Sequence, residues 1–229
     1  MSDQGPAAAS APARAALWRT WVVATTAGET GGFLVPAAVA ALLPGGLGDG
    51  GRAAALVLAG AMEGSLLGWA QSRVLRTAIP ALDGRAWIVR TAVAAMVAWA
   101  VGMVPSTWWD ELTRLPGVLT AVLATGGGLV LLASIGVAQW TVLRRHVSRS
   151  TRWIWWTAGA WLAGLGIFVL VATPLWQPGQ GPVTVAAIGL LGGALMALTV
   201  AAITGWGLLH LLAGAGRPGR RRPGRAVPA

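Results

Sequence analysis

Six apolar segments, each about 20 residues or longer, constrain the fold of this chain more than any other feature. A helix rises about 1.5 Å per residue, so about 20 apolar residues cross the roughly 30 Å hydrocarbon core of a bilayer. The sequence therefore predicts an all-α integral membrane protein with six transmembrane helices. The predicted segments are Trp18–Leu43, Ala53–Val74, Ala86–Val104, Gly117–Leu143, Trp153–Thr173 and Val183–Leu212.

The arginines predict the orientation of these helices. All but two of the 17 arginines lie in the N-terminal arm, the second and fourth connections and the C-terminal tail, and the other connections contain only Arg52 and Arg114. Positive residues in short loops stay cytoplasmic, so both termini are expected on the cytoplasmic side. The chain has no lysine and is rich in alanine, glycine and valine, which is typical of a GC-rich bacterial genome. We therefore expect a multi-pass protein of the bacterial cytoplasmic (inner) membrane.

Two terminal segments flank the predicted transmembrane domain of residues 17–212. Residues 1–16 are rich in alanine and proline, residues 213–229 are rich in arginine, proline and glycine, and both are predicted to be disordered. A net charge of +10 would suggest nucleic-acid binding in a soluble protein, but here topology accounts for it and no nucleic acid is expected. Basic residues near a membrane surface gain about 1 kcal/mol each from anionic headgroups. The residues expected to bind these headgroups are Arg217, Arg220, Arg221, Arg222 and Arg225.

An internal repeat runs through the apolar segments. Trp21, Trp87 and Trp153 are spaced by 66 residues, and a threonine follows each of them four residues later. We therefore predict three tandem helical hairpins, at about 17–76, 85–144 and 152–212. Because each hairpin leaves and re-enters on the same side, the copies should be parallel and related by a pseudo-threefold axis along the membrane normal.

The second helix of each hairpin ends in a related phrase. Ala-Gln-Ser-Arg-Val-Leu-Arg at Ala70–Arg76 matches Ala-Gln-Trp-Thr-Val-Leu-Arg at Ala138–Arg144, and a fainter third copy begins at Ile203. Together with Trp21-Val22-Val23-Ala24, these phrases resemble uncharacterised bacterial multi-pass membrane proteins that repeat a Trp-Val-Leu-Ala…Gly helix and a Gly-x-x-Gln-Trp-x-Val-Leu-Arg helix. The resemblance covers roughly residues 18–212, although Ser72 departs from the usual tryptophan. It implies the hairpin fold and no catalytic residue.

Glycines predict where helices approach closely. Gly60, Gly64 and Gly68 recur every four residues on the second segment, and small residues allow neighbouring backbones to pack together in lipid. The stripe predicts either contact within one bundle or contact between two copies of the chain.

Glu29 and Glu63 are the candidate functional residues. Each lies about half-way along its segment, near the bilayer midplane, where a charged side chain costs at least about 2.5–3.5 kcal/mol. Such residues face the bundle interior, so we predict that a shared interface brings the two carboxyls together, with one or both protonated. Both acids occur only in the first hairpin. The neighbouring residues expected to line this polar site are Thr25, Thr26, Thr30 and Ser65.

Two glutamines and the tryptophans are given structural roles. Gln71 and Gln139 occupy equivalent repeat positions, so we expect each amide to bond a backbone carbonyl across a helix interface. The 14 tryptophans, with no tyrosine, are expected to form the aromatic belts at the membrane surfaces. The members placed at the cytoplasmic belt are Trp18, Trp21, Trp87, Trp153, Trp155 and Trp156.

No pattern for chemistry is visible in the sequence. The absence of cysteine excludes disulfides and thiolate sites, and the two histidines, His146 and His210, are too far apart to predict a metal site. No catalytic residue, metal or cofactor is predicted, and the protein is not expected to be an enzyme. The favoured hypothesis is a scaffold that docks a membrane-protein partner or a second copy of itself. The alternative is a small transporter or channel-like protein whose midplane glutamates bind protons, cations or a small ligand.

Overall fold

The computed structural model describes residues 10–44 and 46–215. Within these residues the chain forms seven α-helices and no strand. Six of the seven are long and apolar enough to cross a membrane, which confirms the six predicted spans of a multi-pass membrane protein. The helices are α1 (Ala11–Leu42), α2 (Asp49–Ala78), α3 (Gly84–Thr107), α4 (Trp109–Thr113), α5 (Gly117–Leu143), α6 (Arg152–Leu175) and α7 (Pro182–Ala215).

The first and last helices extend beyond the residues predicted for the transmembrane domain. Residues 11–16, which were predicted to be disordered, form the start of α1, where the Ser10 hydroxyl accepts a hydrogen bond from the Ala13 amide (3.5 Å) and Pro12 lies in the first turn. At the other end, α7 continues to Ala215. The remainder of the predicted arm and the five tail arginines lie outside the described residues.

The six spanning helices form a closed ring. Each packs against two others in the order α1, α2, α3, α5, α6 and α7, and α7 returns to α1. The short helix α4, which was not predicted, lies in the connection between α3 and α5 and contributes no buried residue. A closed ring leaves a shared interior, and the buried polar residues of the spans include Glu29, Glu63, Gln71 and Gln139.

The glycine stripe on α2 packs against α3. A Cβ atom added at Gly64 would lie 2.5 Å from the Ala95 Cβ and 2.9 Å from the Thr91 carbonyl oxygen. One added at Gly60 would overlap the Trp99 indole, and one added at Gly68 would lie 3.0 Å from the Ile88 Cα. The stripe therefore serves contact within one bundle.

Three tryptophans assigned to the cytoplasmic belt are instead core residues. Trp21, Trp87 and Trp153 are fully buried, and the Trp153 indole lies 5.9 Å from that of Trp21 and 6.2 Å from that of Trp87, centroid to centroid. Burying an indole requires a partner for its N–H group. As described below, each ring finds one on another helix. Trp155, by contrast, is 79% exposed, as expected of a belt residue.

Candidate intramembrane binding site

A layer of hydrogen-bonded side chains crosses the interior of the ring. The Trp87 indole donates to Gln71 Oε1 (3.3 Å), and the Trp153 indole donates to Gln139 Oε1 (2.9 Å). On the remaining side, Trp21 donates to the Thr204 hydroxyl (3.0 Å). Each bond joins two adjacent helices of the ring. We call this set the polar layer, and its members are Trp21, Trp87, Trp153, Gln71, Gln139 and Thr204.

Gln139 connects the polar layer across its centre. Its amide nitrogen donates to Gln71 Oε1 (2.8 Å) and to the Thr91 hydroxyl (3.1 Å), while its Oε1 atom accepts from Trp153. The expected bonds from these glutamines to backbone carbonyls are wrong, because the facing indoles, amide and hydroxyl supply the partners. The structural role itself fits this geometry. The layer ties α2, α3, α5 and α6 together at one level of the bundle.

A cavity of about 240 Å³ lies beside this layer, inside the ring. All six spanning helices contribute to it, so it is a central feature of the bundle. Apart from two glutamates, its lining consists of apolar and aromatic side chains and glycines. Four aromatic rings take part, including both phenylalanines of the chain. The aromatic lining residues are Phe33, Trp99, Trp161 and Phe168.

The two glutamates are Glu29 and Glu63, on α1 and α2, and both line this one cavity. Glu29 is 1% exposed and Glu63 is 6% exposed. The Glu63 Oε2 atom accepts a hydrogen bond from the Trp99 indole (2.7 Å), a short distance typical of a carboxylate acceptor. The sequence predicts that these acids meet at the α1–α2 interface, and the two helices that carry them pack against each other.

Glu29 lacks a comparable partner. Both of its carboxyl oxygens are buried with no N–H or hydroxyl donor among the described residues, and the group beside them is the Glu63 carboxyl, which can share a hydrogen bond with Glu29 when one of the two acids holds a proton. Buried polar groups are normally paired, because a group that has lost water and gained no partner is destabilising. Two neighbouring acids buried among apolar side chains are therefore stabilised when protons or a cation neutralise their negative charge.

The four predicted lining residues do not line the cavity. Thr25 lies one helical turn nearer the polar layer than Glu29, and Thr30, one residue further on, is turned about 100° around α1. Thr26 is also absent from the lining, and Ser65 instead donates back to the Ala61 carbonyl oxygen (2.8 Å). Nearness in sequence to a glutamate did not place these hydroxyls on its face.

Phe33 and Trp99 were missed by the sequence analysis. Phe33 follows Glu29 by four residues and therefore lies above it on the same face of α1. Trp99 follows Phe33 by 66 residues, the spacing of the predicted repeat. Helical periodicity combined with the repeat could have identified both.

The described residues do not indicate a metal site built from three or more ligating side chains. In the described ranges, no group of three or more histidine, cysteine, aspartate or glutamate side chains could hold a metal ion. A cation in the cavity would meet two carboxyl side chains, Glu29 and Glu63.

No family model, no curated protein and no solved structure matches this chain. The indications of function come from the geometry of the cavity and its two carboxyls.

Proposed function

We propose that this protein is a small, non-enzymatic transporter or channel-like protein that takes up a proton or a cation at Glu29 and Glu63. The observation that carries the proposal is the Glu29 carboxyl, which lines a central cavity, is buried with no N–H or hydroxyl donor among the described residues, and faces a second acid with which it can share a proton. This choice favours the alternative sequence hypothesis over the scaffold.

The energetics of a membrane interior support this choice. A glutamate used only as a structural bridge would have a donor on a neighbouring helix, as Glu63 has in Trp99. A charged group near the bilayer centre is destabilising by at least about 2.5–3.5 kcal/mol, and such residues commonly mark ion pathways and proton relays. The group that Glu29 faces is a second acid, so the pair needs a bound proton or cation to offset this penalty.

The proposal includes three parallel hairpins around a pseudo-threefold axis. Equivalent glycines support it: a Cβ added at Gly68 would lie 3.1 Å from the Thr91 Cβ, and one added at Gly136 would lie 3.1 Å from the Thr157 Cβ. The cavity lies on the proposed axis, because residues at equivalent repeat positions line it together. These positions are Glu29, Ala95 and Trp161 on the first helices, and Glu63, Leu131 and Met196 on the second helices.

Comparison of equivalent repeat positions also indicates that the fold itself does not require the two acids. The positions that match Glu29 and Glu63 in the other hairpins carry alanine, tryptophan, leucine and methionine, and these residues pack in the same ring without a carboxyl group. The fold therefore has no general need of an acid at either position. We infer that the first hairpin carries them for a ligand.

The orientation of the protein and the membrane in which it lies are part of the proposal. The arginine distribution supports cytoplasmic termini. In this orientation the polar layer lies in the cytoplasmic half of the membrane, and the cavity lies further from the cytoplasm. The tail arginines then lie against anionic lipid headgroups. The arginine-only, GC-rich composition supports a bacterial cytoplasmic membrane. The repeated tryptophan and glutamine phrases support membership of the bacterial multi-pass group that they resemble.

Proton uptake by proteoliposomes tests the function. Purified protein in liposomes with an internal pH dye and an imposed proton gradient should acidify the lumen faster than empty liposomes. The double variant Glu29→Gln, Glu63→Gln should lose at least 90% of this flux, because neither amide can carry a proton in its place. Glu111→Gln, an exposed acid on α4, is the matched control and should retain the wild-type rate. Flux that survives the double substitution would contradict a proton-coupled site.

The scaffold remains the second candidate, and one observation favours it. Residues 117–130, the first half of α5, are exposed on almost every face, with only Thr120 and Gly127 partly covered. A membrane-protein partner or a second copy of the chain could cover this surface. Under the scaffold hypothesis the double variant Glu29→Gln, Glu63→Gln assembles with its partner as the wild type does. Neither protein then carries a proton flux.

A further inference from the structure

We propose that the ligand of this cavity is a small organic ammonium ion with an apolar body, bound with its charge at Glu29 and Glu63. The inference rests on the proposed function and names the class of ligand for the same site. It follows from three properties of the cavity: its aromatic walls, its few oxygen ligands and its size.

The aromatic walls favour an organic cation over a neutral ligand. Phe33, Trp99, Trp161 and Phe168 line the same space as the two acids. The faces of aromatic rings attract cations, and cages of such rings bind quaternary ammonium groups. The chain contains only two phenylalanines, and both are placed here. Carboxyls at one site and rings around it suit a ligand that is both charged and apolar.

The shortage of oxygen ligands disfavours a bare metal ion. Calcium takes about six to eight oxygen ligands, and magnesium needs a near-ideal octahedral set. The side chains of Glu29 and Glu63 offer two carboxyl groups, and one of their oxygens is already bonded to Trp99. A metal ion would have to bring its own water into an apolar space. An ammonium ion instead places its carbon atoms against the lining.

The size of the cavity limits the ligand. Pockets for drug-sized molecules occupy roughly 300–1,000 Å³, and this cavity occupies about 240 Å³. The ligand should therefore be smaller than a typical drug, of the size of benzyltrimethylammonium. A single positive charge leaves one of the two carboxyls to hold a proton. Because these are the two titratable groups among the described lining residues, protons should compete with the ligand and weaken its binding at low pH.

Calorimetry with benzyltrimethylammonium chloride tests the inference on the full chain in detergent. Its neutral carbon isostere, neopentylbenzene, is the matched probe, since the two differ in charge and hardly in shape. We expect saturable binding of the cation at pH 8, and at least ten-fold weaker binding of the neutral compound. The double variant Glu29→Gln, Glu63→Gln should weaken cation binding at least ten-fold.

Aromatic substitutions test the walls separately. Phe33→Leu and Phe168→Leu should each weaken cation binding by about 2- to 30-fold, the range expected for a partly to fully desolvated cation–π contact. Trp155→Leu, at an exposed ring outside the cavity, should leave the affinity unchanged. Because the two probes are compared on the wild-type protein, a variant that fails to fold does not remove the test.

The outcomes distinguish the ligand class from the function. Equal binding of the charged and neutral probes would overturn the organic cation, as would unaltered affinity in both phenylalanine variants. If the cation does not bind while proton flux still depends on the two glutamates, the ligand class is wrong and the proposed function stands. If binding and glutamate-dependent flux are both absent, both proposals are wrong.

Discussion

Substituting Gly64→Leu is expected to prevent this bundle from folding. A Cβ at this position would already lie 2.5 Å from the Ala95 Cβ and 2.9 Å from the Thr91 carbonyl oxygen, both well inside van der Waals contact. Since one contact is with backbone, α2 and α3 would have to separate. Overpacking a core typically destabilises by about 1–3 kcal/mol, and we expect at least the upper end here because a helix must move.

The measurement is the yield and thermal midpoint of detergent-purified protein, followed by size-exclusion chromatography. Gly128→Leu on α5 is the matched control, because a Cβ there would meet no atom within 4 Å. We expect the control to purify like the wild type and the Gly64 variant to aggregate or to be absent. A monodisperse Gly64→Leu protein with an unchanged midpoint would show that the α2–α3 contact is not as close as described.

Substituting Gln139→Leu should remove the centre of the polar layer. The wild-type amide makes three hydrogen bonds, to Gln71, Thr91 and Trp153. Side-chain hydrogen bonds in membrane proteins average about 0.6 kcal/mol each, so three of them give a loss of about 2 kcal/mol. The indole of Trp153 would also remain buried without an acceptor, which increases the loss.

Thermal unfolding in detergent measures this loss. Thr141→Val is the matched control on the same helix, since the Thr141 hydroxyl bonds only to the Ala138 carbonyl oxygen of its own turn. The control should unfold close to the wild-type temperature, and Gln139→Leu should unfold several degrees lower. Equal midpoints for the two variants would mean that the polar layer adds little to stability.

The spans could be predicted from the sequence because length and hydropathy act locally. Each apolar run must form its backbone hydrogen bonds within itself in lipid, and this requirement sets its length without reference to its neighbours. The limits of the runs were less predictable. The start of α1 depends on a single cap at Ser10, and an alanine- and proline-rich stretch can be read as either disorder or a first helical turn.

The tryptophan positions show what the sequence could not settle. Trp87 and Trp155 both lie close to arginine-rich connections, and a position near the membrane surface predicts the same belt role for each. Their difference depends on which helix face meets a neighbour. Gln71 offers Trp87 an acceptor inside the ring, whereas Trp155 is left exposed. Such partners are supplied by tertiary packing and are not visible in one segment.

The two acids of the candidate site could be singled out from the sequence, but the aromatic residues that line the cavity were not predicted. The burial penalty alone indicated Glu29 and Glu63, because an acid near the bilayer midplane is unfavourable wherever it lies. The threonines beside them in sequence proved to be outside the cavity, and the aromatic rings that do line it come from α1, α3 and α6. Because these residues come from three helices, predicting them requires the order in which the helices pack around the ring. The sequence repeat predicts that order only in outline.

The stability of Glu29→Met, measured without ligand in detergent, tests most directly whether Glu29 is kept for a ligand. Methionine has a similar length and no polar group to bury, so the variant should be more stable than the wild type by about 1–3 kcal/mol, the desolvation penalty of a buried polar group that faces a second acid. For a chain of this size, each kcal/mol corresponds to about 2–4 °C in the unfolding midpoint. Glu63→Met is the matched comparison and should gain less, because it also loses the bond from Trp99. A raised midpoint for Glu29→Met is the predicted result, and a lowered one would make Glu29 a structural residue and contradict the binding site.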